Sequence, residues 1–336
     1  MPKIFFGLTM LLLGLSGAAP AAYGQEKLNF AYSAIDPAGY TGFWMAGEKN
    51  FFEKYGVAQG KSVYISGGAV ITASLLSGEV EVLLVQASAP MAVKAKGGDA
   101  VIFAATENIL PYFIFLGPQV KTLKDMEGKR ASISRLGSGS HTSLLALFKE
   151  AGVDASKVTF VASGDMSSRV AAFSSGAVDL VGLPPPYHLR LQDAGYKAGI
   201  NLLENHVSWG QVVLAARQSW VEKHPDAVKG VVMAVAEGNY YALARPDEAK
   251  RVWRRYFRTT DARVLDESFV YFRNAFVPDL MPDARGLANI RDYAISSETK
   301  SGEIGIERFV ATRAVSELVR DGFFKKLAVK YGVGPR

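Results

Sequence analysis

The stretch Ser134-Arg135-Leu136-Gly137-Ser138-Gly139-Ser140-His141 carries the densest chemistry in the chain. Residues 130–134 read as a short strand, and Leu144, Leu145, Leu147, Phe148 and Ala151 then recur at helical spacing before Gly152. Gly137, Ser138, Gly139 and Ser140 therefore fall at a helix N-terminus. Unpaired backbone N–H groups and the helix dipole favour an anion there. Arg135 beside them carries a planar fork that can pair bidentately with a carboxylate, sulfonate or phosphate. His141 reads first as part of the cap and second as a donor to the same ligand. Serine as N-cap and glycine as turn residue also account for the stretch without a ligand. Thr142 stands where a dinucleotide fingerprint needs its third glycine, and no Gly-Lys-Ser/Thr triplet follows, so nucleotide binding is not expected.

Other polar and aromatic candidates lie where strands are expected to end. Tyr40 and Trp44 follow the first strand and could stack on a flat ligand, although Trp44 reads equally well as core. Gln86, Ser88 and Ala89 follow an apolar strand, with Ser88 an N-cap first and a donor second. Pro184-Pro185-Pro186-Tyr187-His188 offers a stiff rim in which the prolines donate no N–H, so shape and aromatic contact are expected from Pro186 and Tyr187. The sequence has no Gly-x-Ser-x-Gly elbow and no cysteine. Its histidines, His141, His188, His206 and His224, show no paired metal spacing. Neither catalysis nor a metal or other cofactor is expected.

These residues are to be positioned by alternating strands and helices. Strands are expected over 27–32, 62–65, 80–85 and 101–105, with a turn at 36–39 and helices over 41–55 and 69–76. The unit from Leu75 to Val82 is echoed from Ala172 to Leu180: a helix, a Ser-Gly stop, then a strand with one acidic residue near its start. Each echo lies downstream of a Gly/Ser turn, Ser66-Gly67-Gly68 in the first and Gly137–Ser140 in the second. The pattern predicts two related α/β lobes, each with a mostly parallel sheet flanked by helices. Residues 25–110 and 211–336 are assigned to lobe 1 and 111–210 to lobe 2, with a strand over 211–215 and a largely helical remainder interrupted by a polar loop through Gly302. Ligands bind beyond the carboxyl ends of strands in such sheets, which places the cleft between the lobes.

The 336 residues carry 49% hydrophobic and 21% charged side chains, a globular mixture, with a net charge of +6. The basic residues are scattered. The densest group, from Lys250 to Arg258, alternates with Val252, Trp253, Tyr256 and Phe257 and reads as a solvated helix face, so no nucleic-acid partner is expected. Lys3, the apolar run 4–15 and the small residues before Gln25 read as a signal peptide over 1–24, cleaved after Gly24. The run is short for a membrane span, and no direct membrane insertion is expected. A periplasmic, monomeric protein is the expectation.

Several ordered segments resemble the substrate-binding proteins of ABC transporters of the nitrate/taurine/alkanesulfonate type, which include binders of thiamine-pyrimidine precursors. They are Gly47–Val57, Leu76-Ser77-Gly78-Glu79-Val80, Leu123–Lys129, Gly137–His141, Glu150-Ala151-Gly152-Val153, Gly176–Leu180 and His224–Val228. The resemblance implies a two-lobed periplasmic binding protein fold of type II, no catalysis, and delivery of a small anionic or aromatic ligand to a membrane permease. It implies ligand contacts at Asp36 to Tyr40, at Gly67 and Gly68, at Ser88, and at Gly137 to Ser140. Many members place an acidic residue or tryptophan before the proline that is Pro186 here, whereas this chain has Pro184 and Pro185. Two other readings stand beside the importer: a pyridoxal-phosphate-dependent pyrimidine-precursor synthase on the same fold, and a periplasmic ligand sensor for a receptor kinase. The export signal and the lack of a lysine-plus-histidine pair weigh against the synthase.

Overall fold

The computed structural model describes residues 27–204, 206–292 and 304–334. The expected signal peptide and the end of the polar loop through Gly302 lie outside the described residues. The strands are β1 Lys27–Tyr32, β2 Ala58–Tyr64, β3 Val82–Val85, β4 Val101–Ile109, β5 Phe113–Leu116, β6 Arg130–Ile133, β7 Thr159–Ala162, β8 Leu180–Leu183, β9 Ala198–Asn201 and β10 Ser208–Ala216. They form two five-stranded sheets, ordered β2-β1-β3-β10-β4 and β7-β6-β8-β5-β9. In the first sheet β10 runs antiparallel to β3 and β4, and in the second β5 runs antiparallel to β8 and β9. The other neighbours pair in parallel. The chain thus enters the second sheet after β4 and returns to the first with β10.

The helices are α1 Pro37–Glu48, α2 Phe51–Lys54, α3 Gly68–Leu76, α4 Ser88–Ala95, α5 Gly139–Glu150, α6 Met166–Ser174 and α7 Leu189–Asp193. They continue with α8 Gln218–Lys223, α9 Pro225–Ala244, α10 Pro246–Phe257, α11 Ala262–Ala275, α12 Ala284–Ile290, α13 Arg313–Arg320 and α14 Phe323–Tyr331. None of the described helices is long and apolar enough to cross a membrane.

Burial on both faces explains why β3 is apolar at every position. Val82 and Leu84 join a cluster with Phe43 and Trp44 of α1 and Val231 and Val235 of α9, while Leu83 and Val85 face Ile71 and Leu75 of α3 and Met91 of α4. This second cluster continues through Leu144 and Phe148 of α5 to Ile114, Ala131 and Leu180, so one apolar layer joins the two sheets. Phe115, Val181 and Leu183 turn to the far face of the second sheet, against Phe173 of α6 and Leu191 of α7.

Two expectations about the first helix are corrected. Residues 36–39 are not a free turn, because the helix begins at Pro37 and the Asp36 carboxylate caps it, accepting from the N–H groups of Ala38 and Gly39 at 2.8 and 3.0 Å. Gly39, which suggested a turn, and Gly42 serve close packing: a Cβ would meet Val212 at 2.2 Å and the Val235 carbonyl oxygen at 2.6 Å. Nor does one helix run over 41–55. Asn50 adopts a left-handed conformation with φ 54° and divides α1 from α2. Strand limits shift as well, β2 beginning at Ala58, β3 at Val82 and β10 at Ser208, while β4 runs on to Ile109.

Candidate functional site

A cleft of about 590 Å³ opens where the two sheets present the carboxyl ends of their parallel strands. Residues following β1 (Ser33 to Asp36), β2 (Ser66 to Gly68), β3 (Gln86, Ala89), β6 (Ser134, Ser138 to Ser140), β7 (Gly164 to Ser167, Arg169) and β8 (Pro184, Tyr187) line it. Parallel α/β sheets generally bind ligands at these ends.

The Gly/Ser turns of the two sheets meet at one wall. A Cβ on Gly68 would stand 3.0 Å from the Gly137 carbonyl oxygen, and Gly67 lies in a left-handed conformation at φ 99° with the Arg135 side chain packed over it. Ser138 is the N-cap of α5, and its Oγ accepts from the His141 N–H. Ser140 Oγ accepts from the Ser134 N–H at 2.9 Å and lies 3.0 Å from Ser138 Oγ, so both hydroxyls also order the turn. His141 Nδ1 accepts from the Gly137 N–H at 3.1 Å, and its ring packs edge-on against Phe160.

Gln86 ties the two sheets together at the base of the cleft. Its Nε2 donates to Ser143 Oγ of α5 at 3.1 Å and to Gln211 Oε1 of β10 at 3.0 Å. Its Oε1 accepts from Thr142 Oγ1 at 2.7 Å and Ser88 Oγ at 3.0 Å. Ser88 is therefore spent on this network behind the cleft surface.

Of the residues singled out by sequence, Asp36, Tyr40, Gly67, Gly68, Ser138, Ser140 and Tyr187 line the cleft. Trp44 does not: it is buried and stacks on Tyr256 with ring centroids 4.0 Å apart. Ser88, Gly137, His141 and Pro186 also fall outside the lining, as does Arg135, whose side chain is exposed at the rim. Tyr187 reaches across the cleft and donates to the Ile35 carbonyl at 3.3 Å.

The residue that sequence reasoning missed is Arg169. It lies on α6 with 1% of its surface exposed, yet it lines the cleft. One guanidinium nitrogen donates to the Gly182 carbonyl and another to Met166 Sδ at 3.3 Å, while Nε has no partner among the described residues. Burial pulls its pKa below the usual arginine range, opposed by the nearby Tyr112. Its signal in sequence is faint: Ser163-Gly164-Asp165 is a further strand-to-helix turn, and Arg169 follows it on an otherwise small and apolar helix.

Acidic groups gather at the cleft wall and behind it. Burial pushes Asp36 up to about 6, against the lowering effect of the Gly39 and Ala38 N–H groups and of Tyr271. Glu107, fully buried, is raised well above the ordinary carboxyl range by desolvation and then by Asp36, although the Tyr271 hydroxyl donates to its Oε1. The mouth is basic: Arg190, Arg255 and Arg258 all contribute to the lining. Among the described residues no group of His, Cys, Asp and Glu could hold a metal ion.

The model of the NMT1/THI5-like family matches residues 38–249, more than half of the chain. The chain belongs to the NMT1/THI5-like family. Solved structures agree on the fold. A protein from Bordetella bronchiseptica RB50 superposes with a TM-score of 0.76 at 17% identity, covering 91% of this chain and 98% of that one. The periplasmic aliphatic sulphonate binding protein SsuA of Escherichia coli gives 0.66 at 19% identity over 85% and 92% of the two chains. The periplasmic nitrate-binding protein NrtA of Synechocystis PCC 6803 gives 0.68 at 16% identity over 92% and 89%. No curated protein sequence matches the chain. This NMT1/THI5-like chain therefore has the two-sheet α/β fold of periplasmic binding proteins, as its sequence led one to expect.

Proposed function

We propose that the chain is the solute-binding component of an ABC importer, capturing a small organic anion, sulfonate-like or carboxylate, between its lobes and delivering it to the permease. In this reading it is exported by a signal peptide over 1–24, works in the periplasm as a monomer, and needs no cofactor or catalytic residue. Residues 25–110 and 211–336 form one lobe and 111–210 the other.

The observation that carries the reading is Arg169. A guanidinium taken out of water without a carboxylate partner is costly, and a buried donor left unpaired adds to that cost. Its Nε lacks a partner among the described residues and the side chain lines the cleft, so a bound anion would supply both the charge and the hydrogen bond. The α5 N-terminus, with Ser138 and Ser140, adds positive potential on the same side, and Arg190, Arg255 and Arg258 draw anions to the mouth. The sulphonate- and nitrate-binding proteins of the same fold support the assignment to anion uptake.

Thermal melting against a panel of nitrate, sulfonates, carboxylates and pyrimidines tests it. A ligand at a hundred times its dissociation constant adds about 2.7 kcal/mol of stability, enough to raise the melting point visibly. At least one anion is expected to do so. An unchanged melting point across the whole panel overturns the reading.

A further inference from the structure

We propose that the anion captured by this cleft is an aromatic acid that also carries a cationic nitrogen, its ring held among tyrosines, its acid group on Arg169 and its nitrogen directed to Asp36. This rests on the reading of the cleft as an anion receptor and narrows it.

The first observation is a buried pair of carboxyls. Asp36 and Glu107 are both buried, and among the described residues neither forms an ion pair with a lysine, arginine or histidine. Asp36 caps α1 through Oδ1, which accepts both cap N–H groups, so its other carboxyl oxygen is not used by the cap. Behind it, Glu107 Oε2 is buried without a hydrogen-bond partner among the described residues. Adjacent carboxyls in a dry site must share a proton or find a cation. Asp36 lines the cleft, which makes a cation on the ligand able to reach it.

The second observation is independent of the first. Arg169 supplies a buried positive group in the same cavity, its Nε without a partner among the described residues, so the lining carries groups of both signs. Tyr112 lines the same cavity, and its hydroxyl feels both Arg169 and the carboxyls of Asp36 and Glu107. A ligand matching this field is a zwitterion rather than a simple anion.

Size and lining supply the ring. Tyr32, Tyr40, Tyr64, Tyr112, Tyr187 and Tyr256 all line the cleft. Aromatic walls favour a planar ring and also stabilise a nearby cation through the ring quadrupole. The cavity of about 590 Å³ lies in the range that suits ligands of many atoms, far beyond the needs of a triatomic or short-chain anion.

Calorimetric titration of the full mature chain separates the elements of the proposal. The probes are para-(aminomethyl)benzenesulfonate, para-toluenesulfonate, which keeps the ring and acid but lacks the nitrogen, and aminoethanesulfonate, which lacks the ring. The aminomethyl compound is expected to bind at least tenfold tighter than either. Asp36→Asn keeps an oxygen for the α1 cap and is expected to reduce the preference over para-toluenesulfonate to less than threefold. If that variant melts too low for titration, Asp36→Ser, which also keeps an oxygen for the α1 cap, replaces it, with the same reduction expected. Equal affinity for the aminomethyl and methyl compounds overturns the cationic nitrogen and leaves anion capture standing. Aminoethanesulfonate binding as tightly as the aminomethyl compound overturns the ring. A preference that survives in the titrated variant overturns the acidic end as its source. If none of these probes and no anion of the melting panel binds, the underlying reading fails with it.

Discussion

Thr142 Oγ1 donates to Gln86 Oε1 at 2.7 Å, and this bond joins the segment leaving the first sheet to a helix of the second. Both side chains are buried, so the bond is formed away from competing water. Thr142→Val keeps the shape and removes the donor, leaving Ser88 as the partner of Gln86 Oε1. We expect a loss of about 0.5–1.5 kcal/mol in urea unfolding, the usual net worth of one hydrogen bond, because Gln86 Oε1 keeps Ser88. A change below a few tenths would show that the network contributes shape alone.

Helices α1 and α9 approach closely enough to exclude a methyl group. A Cβ on Gly238 would lie 2.1 Å from the Gly42 carbonyl oxygen, a backbone atom that cannot swing aside. Gly238→Ala is therefore expected to destabilise the protein by about 1–3 kcal/mol through overpacking, read as a lower melting temperature, despite alanine's better helix propensity.

Much of this architecture is legible in sequence because it is local. The βαβ alternation, the Gly/Ser turns and the stop at Gly152 are set by neighbouring residues, and Ser138 caps α5 as the pattern suggests. The start of α1 was legible only in part: Pro37 and Asp36 form a helix cap, but Gly39 imitates a turn until its contact with Val212 is known. Arg169 was not legible, since Met166-Ser167-Ser168-Arg169 looks like the exposed start of a helix. Its burial depends on the Gly182 carbonyl in β8, a partner supplied by folding. Glu107 was hidden in the same way, lying beyond the expected end of β4, where only tertiary packing brings Tyr271 and Asp36 to it.

Glu237 gives the fold a pH dependence. Its side chain is fully buried and receives Lys330 and Lys54 together with the hydroxyls of Tyr331 and Tyr55, pinning α14 and α2 to α9. Burial alone would raise its pKa, but these donors outweigh it and bring the group down to about 2 from an ordinary 4.5. A depressed carboxyl contributes stability that is fully present above the unfolded value and lost as pH falls from there through the folded value. Glu237→Gln is expected to cost about 1–3 kcal/mol at pH 7. The gap between wild type and variant should narrow in denaturant titrations carried from pH 5 towards pH 2. A gap independent of pH would mean that the charge contributes nothing.

Arg135 and Arg169 are expected to differ in their effect on binding. Arg135 is exposed and packs over Gly67 at the rim, whereas Arg169 is buried and lines the cleft. Arg135→Ala should weaken anion binding by no more than about tenfold, about 1.4 kcal/mol, and Arg169→Gln by at least a hundredfold, about 2.7 kcal/mol. Equal losses measured by equilibrium dialysis would move the ligand's acid group towards the rim.

Anion capture at Arg169 is measured most directly by calorimetric titration of the tightest-binding anion into the wild-type chain and into Arg169→Gln, with circular dichroism to verify that both are folded. A single saturable site in the wild type that is lost in the folded variant is the predicted result. Undiminished affinity in the variant would contradict it and place the anion elsewhere.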